Sequence, residues 1–313
     1  MDTLGGNRNS GIQEYYSCPV GKAKADNDNC RRCEVTQSRL KVMLLLALAL
    51  FVSLAVATAR AQTASTEPIP NHPALSDRFA FQFGAFYAST TTQASLAPAG
   101  GGAAVAIDFE SALGLEDHAV VGIGGFLWRM SERWRLEVEY FKLNRDASRT
   151  LETEVSWGNQ VYPVGTTVHS SYDFSDTRVS AGYSFFKRRD KELGVGLGLH
   201  MSKIDVSLQQ AGSSAEAADV TAPLPVVSFY GTFALTNQWA MRIRSDWLSL
   251  NYGDYSGGLR SSAIDVLYQP FRNVGFGFGM RSLVLDLAID KSSWSGDARA
   301  VFSGPAAYMT VSF

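Results

Sequence analysis

His200 and Ser202 are the first pair of residues in this 313-residue chain whose types and spacing suggest chemistry. They are two positions apart, so in a β-strand both side chains would lie on the same face. A histidine beside a serine can accept the hydroxyl proton while the serine oxygen attacks an ester, and an acid such as Glu139 or Asp176 could orient the imidazole. The pair indicates an ester hydrolase as one function to test, although two fixed residues form a common pattern.

A second candidate is the run Glu116-Asp117-His118, in which two carboxylates precede a histidine. Its simplest interpretation is a solvated loop. His169 also falls in or near a predicted loop, and His72 lies in a polar segment where we assign it no role.

Charged residues recur at alternate positions of several segments that read as strands, which places them together on one face. The predicted inward-facing set is Arg135, Glu137, Glu139, Asp176, Arg178, His200, Arg242, Arg244, Asp246, Asp265 and Arg281. Buried charges must be paired, because an isolated one costs several kcal/mol. We therefore predict an ion-pair network that fills an enclosed interior. A narrow polar channel is the alternative, and alternate glycines at 194–198 and 275–279 are compatible with either.

The elements that would position these charges are strands. Apolar and polar residues alternate with period two from about residue 79 to the end, between turn signals. Ten strands are predicted, at 79–92, 119–129, 134–150, 171–187, 192–208, 225–235, 238–251, 258–269, 273–288 and 301–313. Short connectors alternate with longer ones at 93–118, 151–170, 209–224 and 289–300, as in bacterial membrane barrels. The predicted fold is an all-β, transmembrane, antiparallel up-and-down barrel, with eight or twelve strands left possible.

Three local features remain open within this barrel. Residues 103–109 read as a further strand or as part of an extension of the first hairpin. Residues 109–117 read as a one-turn helix that plugs the barrel or as a connector. Segments 194–208 and 275–288 both shift their apolar positions by one near the middle, which predicts a β-bulge at the same height in two strands.

The apolar rows are about nine residues long, which is the length of a membrane-crossing strand. Aromatic residues cluster at the level of the tight turns and again at the opposite strand ends, which predicts two belts at the membrane–water interfaces. After residue 61, no segment is continuously apolar over the length of a membrane helix.

The one continuous apolar run, at 42–57, follows Arg39 and Lys41 and precedes Ala59 and Ala61. This order matches the charged, apolar and cleavage regions of a secretory signal. The predicted organisation is an upstream extension at 1–34 without a role in the mature protein, a signal peptide at 35–61, a flexible periplasmic lead-in at 62–77 and the barrel at 78–313.

The distribution of cysteines and charges along the chain is compatible with an exported protein. The three cysteines all precede the signal and have no histidine nearby, so the four ligands of a structural zinc site are not present, and we predict no metal and no cofactor. These cysteines are Cys18, Cys30 and Cys33. Beyond residue 61 the chain holds 20 basic and 25 acidic residues, which gives no support for nucleic-acid binding.

The chain ends "AAYMTVSF", in which Met309, Val311 and Phe313 form an apolar row. This resembles the last strand of bacterial outer-membrane proteins, where a terminal Phe and alternating apolar residues are read by the barrel-assembly machinery. The barrel region looks like the small outer-membrane barrels related to the OmpA membrane domain, OmpW and opacity proteins. The resemblance implies a Gram-negative outer membrane, export through the periplasm, and contact with membrane lipid and lipopolysaccharide. It implies no activity and no oligomeric state.

Two further resemblances concern chemistry. The His200–Ser202 spacing resembles that of outer-membrane lipid A deacylases, but this pair is predicted to face inward, away from ester-bearing lipid. The run at 116–118 is the only cluster comparable with the acidic and His-Asp groups of barrel proteases. We therefore predict a non-enzymatic surface-exposed barrel with a filled lumen. The alternatives are a narrow channel for small polar or amphipathic solutes and, less favoured, a lipid-modifying hydrolase.

Overall fold

The computed structural model describes residues 69–98, 106–158, 160–210, 212–290 and 294–313. Ten antiparallel strands form a closed barrel, in which each strand pairs with its sequence neighbours and the last pairs with the first. The barrel strands are β1 (Phe79–Pro98), β3 (His118–Arg129), β4 (Trp134–Thr150), β7 (Thr167–Lys187), β8 (Lys191–Gln210), β9 (Glu216–Ala234), β10 (Trp239–Tyr252), β11 (Tyr255–Tyr268), β12 (Val274–Asp290) and β13 (Trp294–Ser312).

Four smaller elements complete the described chain. They are the helix α1 (Pro73–Ser76) and the short strands β2 (Ile107–Asp108), β5 (Val155–Trp157) and β6 (Gln160–Tyr162). β2 pairs with β1, so the far half of 103–109 extends the first hairpin, and β5 pairs with β6 as a separate hairpin. Within the described ranges, no helix is long and apolar enough to cross a membrane. The signal segment, its cleavage residues and the cysteines lie outside those ranges.

The prediction of a ten-stranded antiparallel barrel is confirmed. Several connectors predicted to be long are instead mostly strand: β8 and β9 leave only 211–215 between them, and β12 and β13 leave only 291–293. Their Gly-, Ser- and Ala-rich sequences remain in the sheet because the neighbouring strands continue beside them and supply hydrogen-bond partners.

The two ends of the barrel differ. At the turn end, where β1 begins and β13 ends, the strands are joined by short turns at 130–133, 188–190, 235–238 and 269–273. The opposite end, here called the loop end, carries the described segments at 106–117, 151–158 and 160–166. A strand such as β8, with 20 residues, spans about 68 Å along its length and about 50 Å along the barrel axis at a tilt of about 40°. This is about twice the roughly 25 Å apolar band of an outer-membrane barrel.

The outer face carries that apolar band only beside the turn end. Phe83, Leu197 and Phe278 are each more than half exposed there. Aromatic pairs mark its lower edge, such as Trp239 with Tyr268, whose ring centroids lie 4.4 Å apart. Above the band the outward residues are polar, for example Lys203 and Asp205. The barrel therefore extends well beyond the band at the loop end.

The interior changes character at the same height. Beside the apolar band it is charged, whereas nearer the loop end it is an apolar core that includes Leu143, Phe174, Leu208, Leu285 and Phe302. This explains the shift of apolar positions in β8 and β12. The register of both strands with their neighbours runs through the shift without interruption, so the predicted bulge is wrong. The apolar side chains lie on the outer face at the level of the apolar band and on the inner face nearer the loop end, where the outer face is polar.

Candidate functional site

The lumen beside the apolar band is the candidate functional site. The structure places all eleven predicted charged residues on its inner face, and each contacts at least one other member. Their strands fix this arrangement, because residues two apart in β4 or β10 point into the lumen and the residues between them point outward.

Arg178 lies at the centre of the network, with 2% of its surface exposed. Its Nε and Nη2 donate to the two carboxylate oxygens of Asp246 at 2.7 and 2.9 Å, and its Nη1 donates to Glu137 at 3.0 Å. Asp246 also accepts a hydrogen bond from Ser228 at 2.5 Å. Such a bidentate pair fixes both distance and orientation.

The ion pairs continue as an alternating row of arginines and carboxylates, here called the charge chain. In order it comprises Arg135, Glu137, Arg178, Asp246, Arg244, Glu139 and Arg281. The contacts between Glu139 and its two arginines measure 3.0 and 2.7 Å, and the loosest contact in the row, Arg244 Nε to Asp246, measures 3.6 Å. A separate pair lies beside the chain, in which Arg242 contacts Asp265 at 2.9 Å and donates to the hydroxyl of Tyr308.

Two tyrosines of the lumen lie directly over glycines. The ring of Tyr230 covers Gly194 and that of Tyr308 covers Gly277, so closely that a Cβ at either glycine would clash with the ring. The guanidinium of Arg135 lies 3.1 Å from the Tyr230 ring centroid on the other side. These glycines thus make room for tyrosine rings, whereas from sequence they were compatible with either an ion-pair network or a channel.

His200 and Ser202 are brought together on the inner face, but not as a nucleophile and its base. His200 Nδ1 lies 2.8 Å from one oxygen of Asp176, and the Ser202 hydroxyl donates to the other oxygen at 2.7 Å. The second ring nitrogen of His200 faces Asp246 at 3.6 Å. The serine hydroxyl is directed to a carboxylate and both residues are buried within the barrel, away from its lipid-facing surface.

Asp117 and His118 form a pair on the outer surface. His118 Nδ1 lies 2.8 Å from Asp117, and this hydrogen bond lowers the pKa of the Asp117 carboxyl. The His118 ring stacks on Tyr87 with 5.5 Å between centroids. Both members are substantially exposed, at 45% and 71% of their side chains, and lie outside the lumen.

A second ion-pair group at the turn end was not predicted. Arg129 contacts Glu192 at 2.8 Å, and the hydroxyl of Ser184 bonds to Glu192 and lies 3.0 Å from that of Tyr230. In β3, Arg129 lies at the alternate positions whose side chains point into the lumen, and this could have identified it as an inward-facing residue. Its role at a strand end could not be read locally, because Glu192 is 63 positions away.

This group also holds α1 across the turn end. Arg129 donates to the carbonyl of Ala74 at 2.5 Å and Lys187 donates to that of Leu75 at 3.0 Å, so two cations meet the last carbonyls of the helix. The first turn is capped by His72, whose Nδ1 accepts from the N–H of Ala74 at 3.0 Å. Burial lowers the pKa of His72. We expected a flexible lead-in at 62–77, whereas the described part, 69–77, is bound in the barrel mouth.

The loop end is covered by residues 107–117, here called the cap. The cap inserts Phe109, Leu113 and Leu115 into the apolar core as a series of turns, which agrees with the plug hypothesis in position although not as a helix. Glu110 anchors it through Arg145 at 2.5 Å, and Arg145 further contacts threonine hydroxyls of β1. The β5–β6 hairpin packs against it, with Trp157 and Phe109 in edge contact at 6.1 Å between ring centroids.

Two small cavities lie between these closures. The described part of the lumen contains a cavity of about 30 Å³ beside the charge chain and one of about 40 Å³ beneath α1. Each has room for about two or three water molecules.

Known proteins were compared with this chain. Neither a protein-family profile nor a curated protein matches it. The crystal structure of the outer membrane protease OmpT from Escherichia coli aligns with a TM-score of 0.50 and 10% identity, over 80% of this chain and all of that one. Neisserial surface protein A aligns at 13% identity over 75% of this chain and 97% of its own, with a TM-score of 0.31. The outer membrane protein OprG from Pseudomonas aeruginosa aligns at 12% identity over 77% and 99%, with a TM-score of 0.33.

The OmpT alignment spans 80% of this chain, and its low identity restricts the conclusion to the fold. Together with the ten-stranded topology and the apolar outer band, it confirms the resemblance drawn from the final strand and the alternating segments. This chain has the fold of the small outer-membrane β-barrel proteins.

Proposed function

We propose that this chain is an integral protein of a Gram-negative outer membrane with a closed lumen, which displays its loop-end portion at the cell surface. The proposal is supported by the described side chains that occupy the lumen at three successive levels. α1 occupies the turn end, the charge chain fills the level of the apolar band, and the apolar core and the cap fill the loop end.

Each of these fillings opposes solute passage for a different reason. The charge chain can open only by separating buried ion pairs, which costs several kcal/mol. The apolar core offers no hydrogen bonds to a polar solute, and Phe109 and Leu113 are 0% and 1% exposed within it. The charged side chains that a narrow channel would need along its wall are thus engaged in contacts with one another. The two small cavities are the feature that favours the channel alternative.

Planar-bilayer recording of the refolded barrel tests this proposal. We expect no steady conductance above that of the bare bilayer. Reproducible single-channel steps would contradict the closed lumen, and a changed step size in Arg281→Met, which removes a charge from the lumen, would assign them to the lumen. Arg260→Met, which removes a charge from the outer face, is the matched control.

Enzymatic function is less well supported. The alignment with a protease concerns the fold alone, and the Asp117–His118 pair lies on the outer surface rather than in the lumen. The His200–Ser202 pair does not form a hydrogen bond that would activate the serine. Comparing lipid A and phospholipids from cells that express the wild type or His200→Ala tests this directly, because any product that disappears in the variant would establish an enzyme.

The proposal includes a route and partners. Export would remove the segment that ends at Ala61, and Met309, Val311 and Phe313 would be recognised by the barrel-assembly machinery. The apolar outer band would contact membrane lipid and lipopolysaccharide. N-terminal sequencing of the protein isolated from outer membranes tests the route, with Gln62 as the expected first residue. A mature protein that retained Cys18 to Cys33 would overturn it.

A further inference from the structure

The charge chain begins and ends with an arginine. It contains four arginines and three carboxylates, so each carboxylate lies between two arginines, whereas Arg135 and Arg281 each contact only one carboxylate. The chain therefore carries one excess positive charge in the interior of the barrel. A buried charge without a counter-ion is unfavourable by several kcal/mol.

Neighbouring groups do not supply the missing negative charge. Arg242 and Asp265 balance each other at 2.9 Å. The lumen set holds five arginines and five carboxylates, so the excess charge requires that the imidazole of His200 is protonated and balances Asp176; its two ring nitrogens face Asp176 and Asp246 at 2.8 and 3.6 Å. At the turn end, Glu192 contacts both Arg129 and Lys187, so that group also has more cations than anions.

The two ends of the charge chain line the same cavity, of about 30 Å³. Its lining contains five arginines and three carboxylates. Arg135 Nη1 and Arg281 Nε are buried and have no hydrogen-bond partner in the part of the chain that the structure describes. Arg135 is 2% exposed, so its free N–H groups have little access to bulk water.

We propose that this cavity binds one small monovalent anion of the halide class, with chloride as the physiological occupant. One such ion would neutralise the charge chain and accept hydrogen bonds from the arginines at its ends. The volume also leaves room for about one water molecule, which would donate to the unpartnered Oδ1 of Asp265. Gluconate, with a chain of six carbon atoms, is far larger than a halide and serves as the anion that the cavity should exclude.

The ion would reach this site from the turn end. The second cavity, of about 40 Å³, adjoins the first, since both are lined by Gln82, Leu127, Arg135 and Arg242. Its other wall includes His72 and Ala74 of the segment that closes the mouth. Exchange of the ion therefore requires that this segment moves.

Two measurements on the refolded wild-type barrel test the proposal together. In crystals grown in bromide, we expect an anomalous bromine peak in the cavity beside Arg135 and Arg281. In solution, replacing gluconate by chloride at constant ionic strength should shift the urea midpoint of unfolding upward, because an ion that binds only the folded state stabilises it. A cavity that holds only water, or a midpoint that is equal in the two salts, would overturn the proposal.

Variants test whether the chloride-dependent shift arises from this cavity. Arg281→Met leaves three arginines and three carboxylates, so we expect loss of the bromide peak and of the chloride-dependent shift, while the midpoint in gluconate is retained or higher. Glu137→Gln leaves four arginines and two carboxylates and should enlarge the shift. Arg260→Met removes an exposed arginine and is the matched control, with the wild-type shift expected. A chloride-dependent shift of wild-type size in Arg281→Met would contradict the assignment to this cavity. If that variant does not fold, the bromine peak and the midpoint shift of the wild type still decide whether the cavity binds the ion.

Discussion

Asp246→Asn tests whether the lumen network stabilises the barrel as the geometry implies. The substitution keeps the side-chain shape but removes the negative charge that Arg178 contacts through two hydrogen bonds, at 2.7 and 2.9 Å. Asp246 is 0% exposed and Arg178 is 2% exposed, so water cannot replace the lost partner. Among the described residues, Arg178 would then retain Glu137, which it shares with Arg135, as its only carboxylate partner, and a 3.4 Å contact with the Ser228 hydroxyl.

The expected loss follows from this burial. Breaking a buried ion pair by removing one partner costs about 3–5 kcal/mol, because the remaining charge stays in the interior. Removing the remaining charge as well should recover part of the loss. We therefore expect Arg178→Met to make Asp246→Asn more stable, although Arg178→Met alone lowers stability.

The assay is the free energy of unfolding from urea titrations of the barrel in detergent or lipid vesicles, followed by tryptophan fluorescence. Asp205→Asn is the matched control, since Asp205 carries the same charge on the exposed outer surface and its removal should leave the midpoint unchanged. A loss below about 1 kcal/mol for Asp246→Asn would refute the reasoning. So would additive effects of the two lumen substitutions, because contacting residues should couple.

Two other predictions concern the closures. Phe109→Ala should lower the free energy of unfolding by about 3–5 kcal/mol and expose the cap to protease, because Phe109 is fully buried against Tyr172 and Trp157; wild-type protease resistance would contradict this. His72 holds α1 through an unprotonated Nδ1, and burial lowers its pKa in the folded state below 6.5. The stabilisation of α1 by His72 is therefore complete above pH 6.5 and is lost as the pH falls through the folded-state pKa. Amide-exchange protection of Leu75 should therefore fall with acid in the wild type and not in His72→Asn, which keeps a capping acceptor; equal pH dependence in both would exclude His72 as the cause.

Much of the fold could be predicted because strand alternation is a local property. The predicted bounds of 134–150 match β4. Four of the other predicted strands lie within their observed counterparts, and the remaining five extend one residue beyond them at the turn end. The same alternation placed the eleven charged residues on the inner face. Their proposed role in filling the lumen remains a prediction that the stability experiments address.

Features that depend on contacts between distant residues could not be predicted. The shift of apolar positions at Ile204 was interpreted as a bulge, because a single sequence does not show the height at which a strand leaves the lipid. The cap was left undecided because Glu110 is 35 positions from Arg145. The binding of α1 by Arg129 involves residues 55 apart, with no local signal in the lead-in.

By itself, the sequence determined that the chain forms alternating strands, that one face of each is charged where the other is apolar, and that the last strand ends in an apolar row. Only the tertiary structure decided which charges meet. Arg178 and Asp246 are 68 positions apart on strands that are not neighbours in the sheet, and they pair because barrel closure brings their inner faces together across the lumen. The excess arginine of the charge chain follows from that three-dimensional pairing, since a count of residues along the chain does not show which carboxylate each arginine contacts.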